Sequence, residues 1–166
     1  MKFNQNQDYW ASVCCTEDFI CIDTFSGLGR VGRDPAFPSD LLMPTVDDPG
    51  LGEALIQALS DSRTLNDLQE RTAFFNPEKS KGDYSDWVAM LKARYGYKSN
   101  KALFKDMKKC TVHCVNETIT IIPTRHEKLE AWGRTKGDGI EDVILSTNSS
   151  PAEIGAGLRL AFSRCK

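Results

Sequence analysis

A glycine-rich stretch is the first part of this chain whose spacing could bind a ligand. Gly27-Leu28-Gly29-Arg30-Val31-Gly32 matches G-x-G-x-x-G, which in dinucleotide-binding proteins opens a helix whose N-terminus holds the pyrophosphate. Here Pro35 and Pro38 follow, and two prolines three residues apart do not fit inside a continuing helix. We therefore expect no cofactor. One alternative stays open: a small nucleotide-binding protein or enzyme that uses residues 27–32 together with His126.

Histidines and cysteines form two further patterns that resemble metal or catalytic sites. Cys110, His113 and Cys114 are close in sequence, but a strand places His113 on the opposite face from both cysteines, so the three cannot converge on one ion. His126 begins a His-Glu-x-x pattern, yet Glu130 stands where a zinc-protease helix has its second histidine. The sequence therefore predicts no metal site, no catalytic residue and no enzymatic activity.

The acidic side chains of the first half of the chain point instead to a protein partner. Asp34, Asp40, Asp47 and Asp48 surround apolar residues that include Phe37, and acidic groups around an apolar centre suit a partner that is itself basic. We expect these five residues to bind such a partner. In the alternative interpretation, the apolar residues fill the core and the aspartates cap turns.

The overall charge argues against direct binding of nucleic acid. The chain has 21 basic and 23 acidic residues, whereas sequence-independent nucleic-acid binding usually needs a strongly basic domain. Lys101, Lys105 and Lys108 recur at helical spacing, which predicts a solvated helix face; phosphate contact is the alternative.

Composition and cysteine usage are typical of a cytoplasmic protein. No apolar run approaches the ~20 residues of a membrane span, and residues 1–8 do not resemble a signal peptide. In a reducing compartment structural disulfides are rare, so we expect the 6 cysteines to be free thiols.

The first half of the chain is predicted to begin with strands and to continue, after a loop, with helices. Residues 9–15 and 19–22 are β-rich with a turn at Glu17-Asp18, and the glycines and prolines that follow predict one long ordered loop over residues 24–47. One helix is predicted with Asp48 as its N-cap and Pro49 as its first residue, and two more are predicted after Ser85 as far as Gly96 and after Ser99.

The second half returns to strands and ends in a helix. In residues 110–114 and 119–121 every second side chain is apolar, which predicts two strands joined by a tight turn at Asn116-Glu117. Residues 143–145 are predicted to form another strand. Ser150 and Glu153 make a capping box for the last helix. We expect an α+β fold with a mainly antiparallel central sheet packed by helices, in which residues 9–166 form a single domain and residues 1–8 an N-terminal extension.

Several segments together resemble a known family. They are Tyr95-Gly96-Tyr97-Lys98, Lys101-Ala102-Leu103-Phe104-Lys105, His126-Glu127-Lys128-Leu129-Glu130-Ala131-Trp132, Ser149-Ser150-Pro151-Ala152-Glu153-Ile154-Gly155 and Leu160-Ala161-Phe162-Ser163-Arg164-Cys165. In this order they resemble the immunity proteins of bacterial contact-dependent growth inhibition, the CdiI type. The resemblance extends from about residue 9 to about residue 165 and consists of packing and turn patterns.

The resemblance implies a small cytosolic protein that binds rather than catalyses. Its partner would be the C-terminal toxin domain of the cell's own contact-dependent effector, commonly a nuclease that cuts DNA or RNA. Some relatives accept a toxin hairpin as an added sheet strand. The resemblance transfers no catalytic residue and no contact residue to this chain.

Overall fold

An antiparallel sheet of seven strands forms the centre of the computed structural model, which describes residues 3–166. Its strands are β1 (Tyr9–Cys15), β2 (Ile20–Leu28), β3 (Arg30–Arg33), β4 (Asp40–Leu42), β5 (Lys108–Val115), β6 (Thr118–Pro123) and β9 (Val143–Ser146). Their order is β3-β2-β1-β5-β6-β9, and β4 pairs with the other half of β2. Two short strands, β7 (Arg125–Lys128) and β8 (Ala131–Gly133), pair separately.

Helices cover both faces of this sheet. The helices are α1 (Asp48–Asp61), α2 (Leu68–Phe74), α3 (Pro77–Tyr95), α4 (Asn100–Phe104) and α5 (Pro151–Arg164). Helices α1 and α5 pack on the face that carries Ala11, Val112 and Ile121. Helices α3 and α4 pack on the opposite face around Phe19 and Cys21. The expected α+β fold with a mainly antiparallel sheet is confirmed.

Local sequence signals place several turns and caps correctly. Asn116 and Glu117 both have positive φ, at 46° and 68°, and join β5 to β6 in a tight hairpin. Ser150 and Glu153 form the predicted capping box at α5, and Gly96 ends α3 in the left-handed conformation. The first residue of α1 differs by one position, because Asp47 rather than Asp48 is the N-cap.

The long loop expected over residues 24–47 is wrong. Strand β2 continues to Leu28, turns at Gly29 and returns as β3, and β4 follows before α1. Gly27 and Gly29 have positive φ, and a Cβ on Gly27 would lie 2.0 Å from the carbonyl oxygen of Arg30. These glycines therefore form a hairpin, and a strand follows them directly in place of the helix that would hold a pyrophosphate.

Two helix predictions also need correction. Helix α3 begins at Pro77, capped by Asn76, well before Ser85, and α2 precedes it without having been predicted. The lysine face does not exist, since α4 ends at Phe104 and Lys108 lies in β5.

The helices and the cysteines bear on the predictions about membrane spans and disulfides. Within residues 3–166, no helix is both long and apolar enough to cross a membrane. All six cysteines are free thiols, and Cys14, Cys21, Cys110 and Cys114 are buried.

Candidate partner-binding surface

A cleft of about 290 Å³ lies between the segment that precedes β4 and one face of α1. Phe37 and Asp40, two of the predicted contact residues, line its outer wall. Ala54, Gln57 and Asp61 line the helical wall. We call Phe37, Asp40, Gln57 and Asp61 the acidic cleft, because both of its charged groups are carboxylates.

Sequence analysis missed Gln57 and Asp61. In the structure the Gln57 side-chain amide donates a hydrogen bond to Asp61 at 3.1 Å, which orients the carboxylate. Residues 54, 57, 58 and 61 follow the i, i+3, i+4, i+7 spacing of one helical face, so the pattern was available once α1 had been predicted. What the sequence lacked was any sign that this face lies opposite Phe37.

Asp47 and Asp48 lie at the N-terminus of α1. The Asp47 carboxylate is exposed and accepts a hydrogen bond from the Gly50 N–H at 2.8 Å. Asp48 is 2.9 Å from the Arg159 Nε of α5, and its charge is therefore already balanced. A carboxylate at a helix N-terminus is stabilised by the helix dipole, so both groups have a structural role besides any contact with a partner.

Asp34 does not lie on the surface. Its side chain is 0% exposed and 2.7 Å from the Arg63 Nε, and it accepts further hydrogen bonds from the Ser26 hydroxyl and the Ala36 N–H. This differs from the expectation that Asp34 faces a partner. The physical reason is that one carboxylate can accept from several donors at once, and here it accepts both from its own turn and from Arg63, which is distant in sequence.

Burial and hydrogen bonding oppose each other at Asp34. Burial alone would raise the pKa of the carboxyl group, but hydrogen bonds from Arg63, Ser26 and Ala36 outweigh it and hold the pKa below its usual range. The backbone fixes Arg63 in turn, since the Gly27 N–H donates to the Arg63 carbonyl at 3.0 Å. Asp34 is therefore a charged anchor inside the fold.

A second buried carboxylate fixes the other end of the segment that carries Phe37. Asp23 is 2% exposed, lies 3.5 Å from the Arg33 Nε and accepts a hydrogen bond from the Ser39 hydroxyl. The segment 34–40 is thus held at Asp34 and again at Ser39. Phe37 and Asp40 project from a preorganised loop, which reduces the entropy lost on binding.

The two histidines lie at separate places, and the structure does not bring His126 to the glycine hairpin. His113 stacks on Trp10 with ring centroids 4.0 Å apart, and its Nε2 is 2.5 Å from Asp8. His126 stacks on Trp132 with ring centroids 4.5 Å apart. The cleft beside Gly27 and Gly29 is lined by neither histidine. The part of the chain that the structure describes contains no cluster of three or more His, Cys, Asp or Glu arranged to hold a metal ion.

Comparison with known proteins gives one consistent family. Residues 9–165 match the family model described as CdiI, CDI immunity protein. The chain is 48% identical over 168 residues to "Immunity protein CdiI-YPIII" of Yersinia pseudotuberculosis serotype O:3 (strain YPIII), with 95% of each chain covered.

Two solved structures resemble the whole chain. "Protein of Unknown Function NMB0488 from Neisseria meningitidis" superposes with a TM-score of 0.93 at 46% identity and full coverage of both chains. A chain of the "CdiA-CT/CdiI toxin and immunity complex from Yersinia pseudotuberculosis" superposes with a TM-score of 0.89 at 45% identity, covering 98% of this chain and 100% of that one. By sequence and by structure, the chain belongs to the CdiI family of CDI immunity proteins.

Proposed function

We propose that this protein binds and neutralises the C-terminal toxin domain of a cognate contact-dependent growth inhibition effector, and that the toxin is a nuclease. The observation that carries the proposal is the similarity, over 98% of the chain, to a structure described as a toxin and immunity complex. In this proposal the protein acts in the cytoplasm as an inhibitor, by covering a surface of the toxin, and it catalyses no reaction.

The acidic cleft suits a nuclease as partner. A nuclease must hold anionic phosphates, so its substrate groove is basic. Asp40 and Asp61 present negative charge around the Phe37 ring, and the exposed Asp47 lies at the start of the same helix. Opposite charges accelerate encounter, whereas a buried aromatic side chain contributes affinity. We therefore place the docking surface at Phe37, Asp40, Asp47 and Asp61, with Asp48 at its margin.

The proposed function is tested by expressing the effector's C-terminal domain in cells with and without this protein. We expect growth arrest and degradation of DNA or RNA when the toxin domain is alone. With this protein present, we expect growth to continue and the two chains to co-purify. Growth arrest that this protein does not relieve would contradict the immunity function. Arrest with intact nucleic acid, relieved by this protein, would contradict only the nuclease assignment.

Neutralising the docking surface is expected to slow association. In the triple variant Asp40→Asn, Asp47→Asn and Asp61→Asn, asparagine keeps the N-cap of α1, so the fold should persist. We expect the association rate with the toxin domain to fall about tenfold at low salt and to depend less on salt, because electrostatic steering is weakened. Stopped-flow fluorescence at several salt concentrations measures both quantities.

A second triple variant removes the same number of negative charges as the first but leaves the acidic cleft intact. Asp106, Glu117 and Glu141 are exposed and lie elsewhere on the molecule, so Asp106→Asn, Glu117→Gln and Glu141→Gln is a matched control. The control should associate nearly as fast as the original protein. Equal slowing in the two variants would assign the effect to net charge, and no slowing in either would place docking on another surface.

A further inference from the structure

Two cysteines that are far apart in sequence are in contact at the end of α5. The Sγ atoms of Cys110, in β5, and Cys165, the C-cap of α5, are 3.7 Å apart across 55 residues of chain. Cys110 is completely buried, whereas Cys165 is partly exposed. The Cys165 N–H bonds the Phe162 carbonyl and the Cys165 Sγ lies 3.4 Å from the Lys109 carbonyl oxygen, so disulfide formation requires the side chain to rotate away from that oxygen toward Cys110.

Solvent reaches Cys165 from two sides. One surface cleft of about 250 Å³ lies between residues 139–141 and residues 163–166. Another, of about 160 Å³, is lined by Lys108, Thr124 and His126 and also ends at Cys165. A molecule the size of a hydroperoxide can enter either cleft, whereas Cys110 is fully buried and lines neither of them.

The environment divides the two thiols into a nucleophile and a proton donor. The hydrogen bond from Cys110 lowers the pKa of Cys165 to about 7 against the opposing effect of burial, with help from the Thr124 backbone and the charge of Lys108. The same contact and its own burial raise the pKa of Cys110 well above its usual range. These contacts favour ionisation of Cys165 over ionisation of Cys110.

We propose that Cys165 and Cys110 are a redox modification site, in which a hydroperoxide converts the two thiols to a reversible disulfide. The Cys165 thiolate attacks the peroxide, the O–O bond breaks, and Cys165 sulfenic acid forms with release of hydroxide or alkoxide. Cys110 sulfur then attacks the sulfenic sulfur, its proton goes to the departing hydroxide, and water leaves. The sulfur pair loses two electrons and the peroxide gains two. This proposal is independent of the proposed immunity function.

The other thiols explain why oxidation should select this pair. Cys15 lies near Cys165, but burial raises its pKa to about 12, so it stays a neutral thiol. Cys14 and Cys21 are direct partners across β1 and β2, yet they are 3% and 0% exposed beneath α3. Cys14 and Cys21 are therefore adjacent, but a peroxide in solvent cannot reach them as it can reach Cys165.

The disulfide would join the C-terminal end of α5 to the centre of the sheet. A cross-link that closes a loop of 55 residues lowers the entropy of the unfolded chain. Because this lower entropy makes unfolding less favourable, we expect the melting temperature of the oxidised protein to rise by about 5 °C.

The experiment treats the purified full chain with a small excess of hydrogen peroxide, alkylates the remaining thiols and measures intact mass, peptide map and melting temperature. We expect two of the 6 thiols to disappear, a single disulfide that maps to Cys110 and Cys165, and full reversal by dithiothreitol. Six thiols that remain free, or a disulfide between other cysteines, would overturn the proposal.

Three variants separate this chemistry from general oxidation. Cys165→Ser should abolish both the disulfide and the rise in melting temperature. Cys110→Ala should stop at the sulfenic acid, which dimedone traps at Cys165. Cys15→Ser, a matched control at the neighbouring thiol, should form the disulfide as the original protein does. Loss of two thiols in Cys165→Ser would contradict the assignment, even if the Cys110 variant did not fold.

Discussion

Gly155→Ala is expected to lower the free energy of unfolding by about 3 kcal/mol, because it adds a methyl group where two helices touch. A Cβ on Gly155 would lie 1.9 Å from the carbonyl oxygen of Asp48. The contact is reciprocal, since a Cβ on Gly52 would lie 1.8 Å from the carbonyl oxygen of Pro151. The first turns of α1 and α5 therefore meet backbone to backbone, and neither side has a flexible side chain that could yield.

Chemical denaturation of Gly155→Ala and of Gly82→Ala measures the effect against a matched control. Gly82 lies in α3 and is exposed, and a Cβ there would be more than 4 Å from every described atom beyond its own stretch of helix. Alanine at this position should therefore stabilise the helix by about 0.5–1 kcal/mol. Equal stability of the two variants would disprove the close approach of α1 and α5.

The double variant Gly52→Ala with Gly155→Ala adds a test of the shared contact. If one added methyl group already separates the two helices, the second meets less resistance, and the double variant should lose less stability than the sum of the single losses. Additive losses would mean that the two glycines act at independent places. Because Asp48 supplies one of these contacts, displacement of α1 would also move the two aspartates that we propose as part of the docking surface.

Local signals explain which parts of the fold the sequence predicted. The hairpin at Asn116-Glu117 and the capping box of α5 depend on residues within a few positions of one another, so both can be predicted from the local sequence. The alternation of Cys110, Val112 and Cys114 likewise placed one face of β5 in the core. These features need no knowledge of distant partners.

Features set by tertiary contacts were beyond the sequence. Gly52 and Gly155 look like helix-weakening residues until the two helices are seen to meet. The first turns of α3 are polar and mostly exposed, so no apolar stripe marked its beginning at Pro77. The glycines and prolines of residues 24–47 predicted irregular chain, whereas pairing with β2 makes two short strands there.

The candidate site divides in the same way. The types of residue, aspartates around an aromatic ring, were visible in sequence, and Phe37 and Asp40 do share a cleft. Asp61 lies in the same cleft only because the chain folds α1 against the segment that carries Phe37. Asp34 is not part of the cleft, because it is buried and paired with Arg63, some thirty residues later in the chain. Sequence proximity alone could not separate a surface aspartate from a buried anchor.

Asp34→Asn is expected to destabilise the protein by about 3 kcal/mol at pH 7, because it removes a buried carboxylate and leaves Arg63 with only the exposed Glu70 as an acidic partner. This is the lower end of the range for a broken buried pair, since the Arg63 side chain is 41% exposed and water replaces part of the lost interaction. The Ser26 hydroxyl and the Ala36 N–H lose a charged acceptor as well. Urea unfolding at pH 7 measures the difference from the original protein.

A surface ion pair gives the matched control for that measurement. Asp83 lies 2.7 Å from Lys79, and both side chains are more than a third exposed. Asp83→Asn should therefore change the free energy of unfolding by no more than about 0.5 kcal/mol. A similar loss in the two aspartate variants would show that the burial of Asp34 has no energetic consequence.

The stabilisation from Asp34 also has a defined dependence on pH. Folding lowers the pKa of this carboxyl group, so the stabilisation is fully present above the unfolded value of about 4 and is lost as pH falls through the lower folded value. The difference in stability between the original protein and Asp34→Asn should accordingly narrow as pH falls below about 4, while the difference for Asp83→Asn stays small throughout. If Phe37 and Asp40 bind the toxin domain as proposed, the same variant should also slow association at neutral pH, because Asp34 anchors the segment that carries both residues. If the difference in stability between the original protein and Asp34→Asn instead stays constant as pH falls below about 4, then Asp34 acts through its shape and not through its charge.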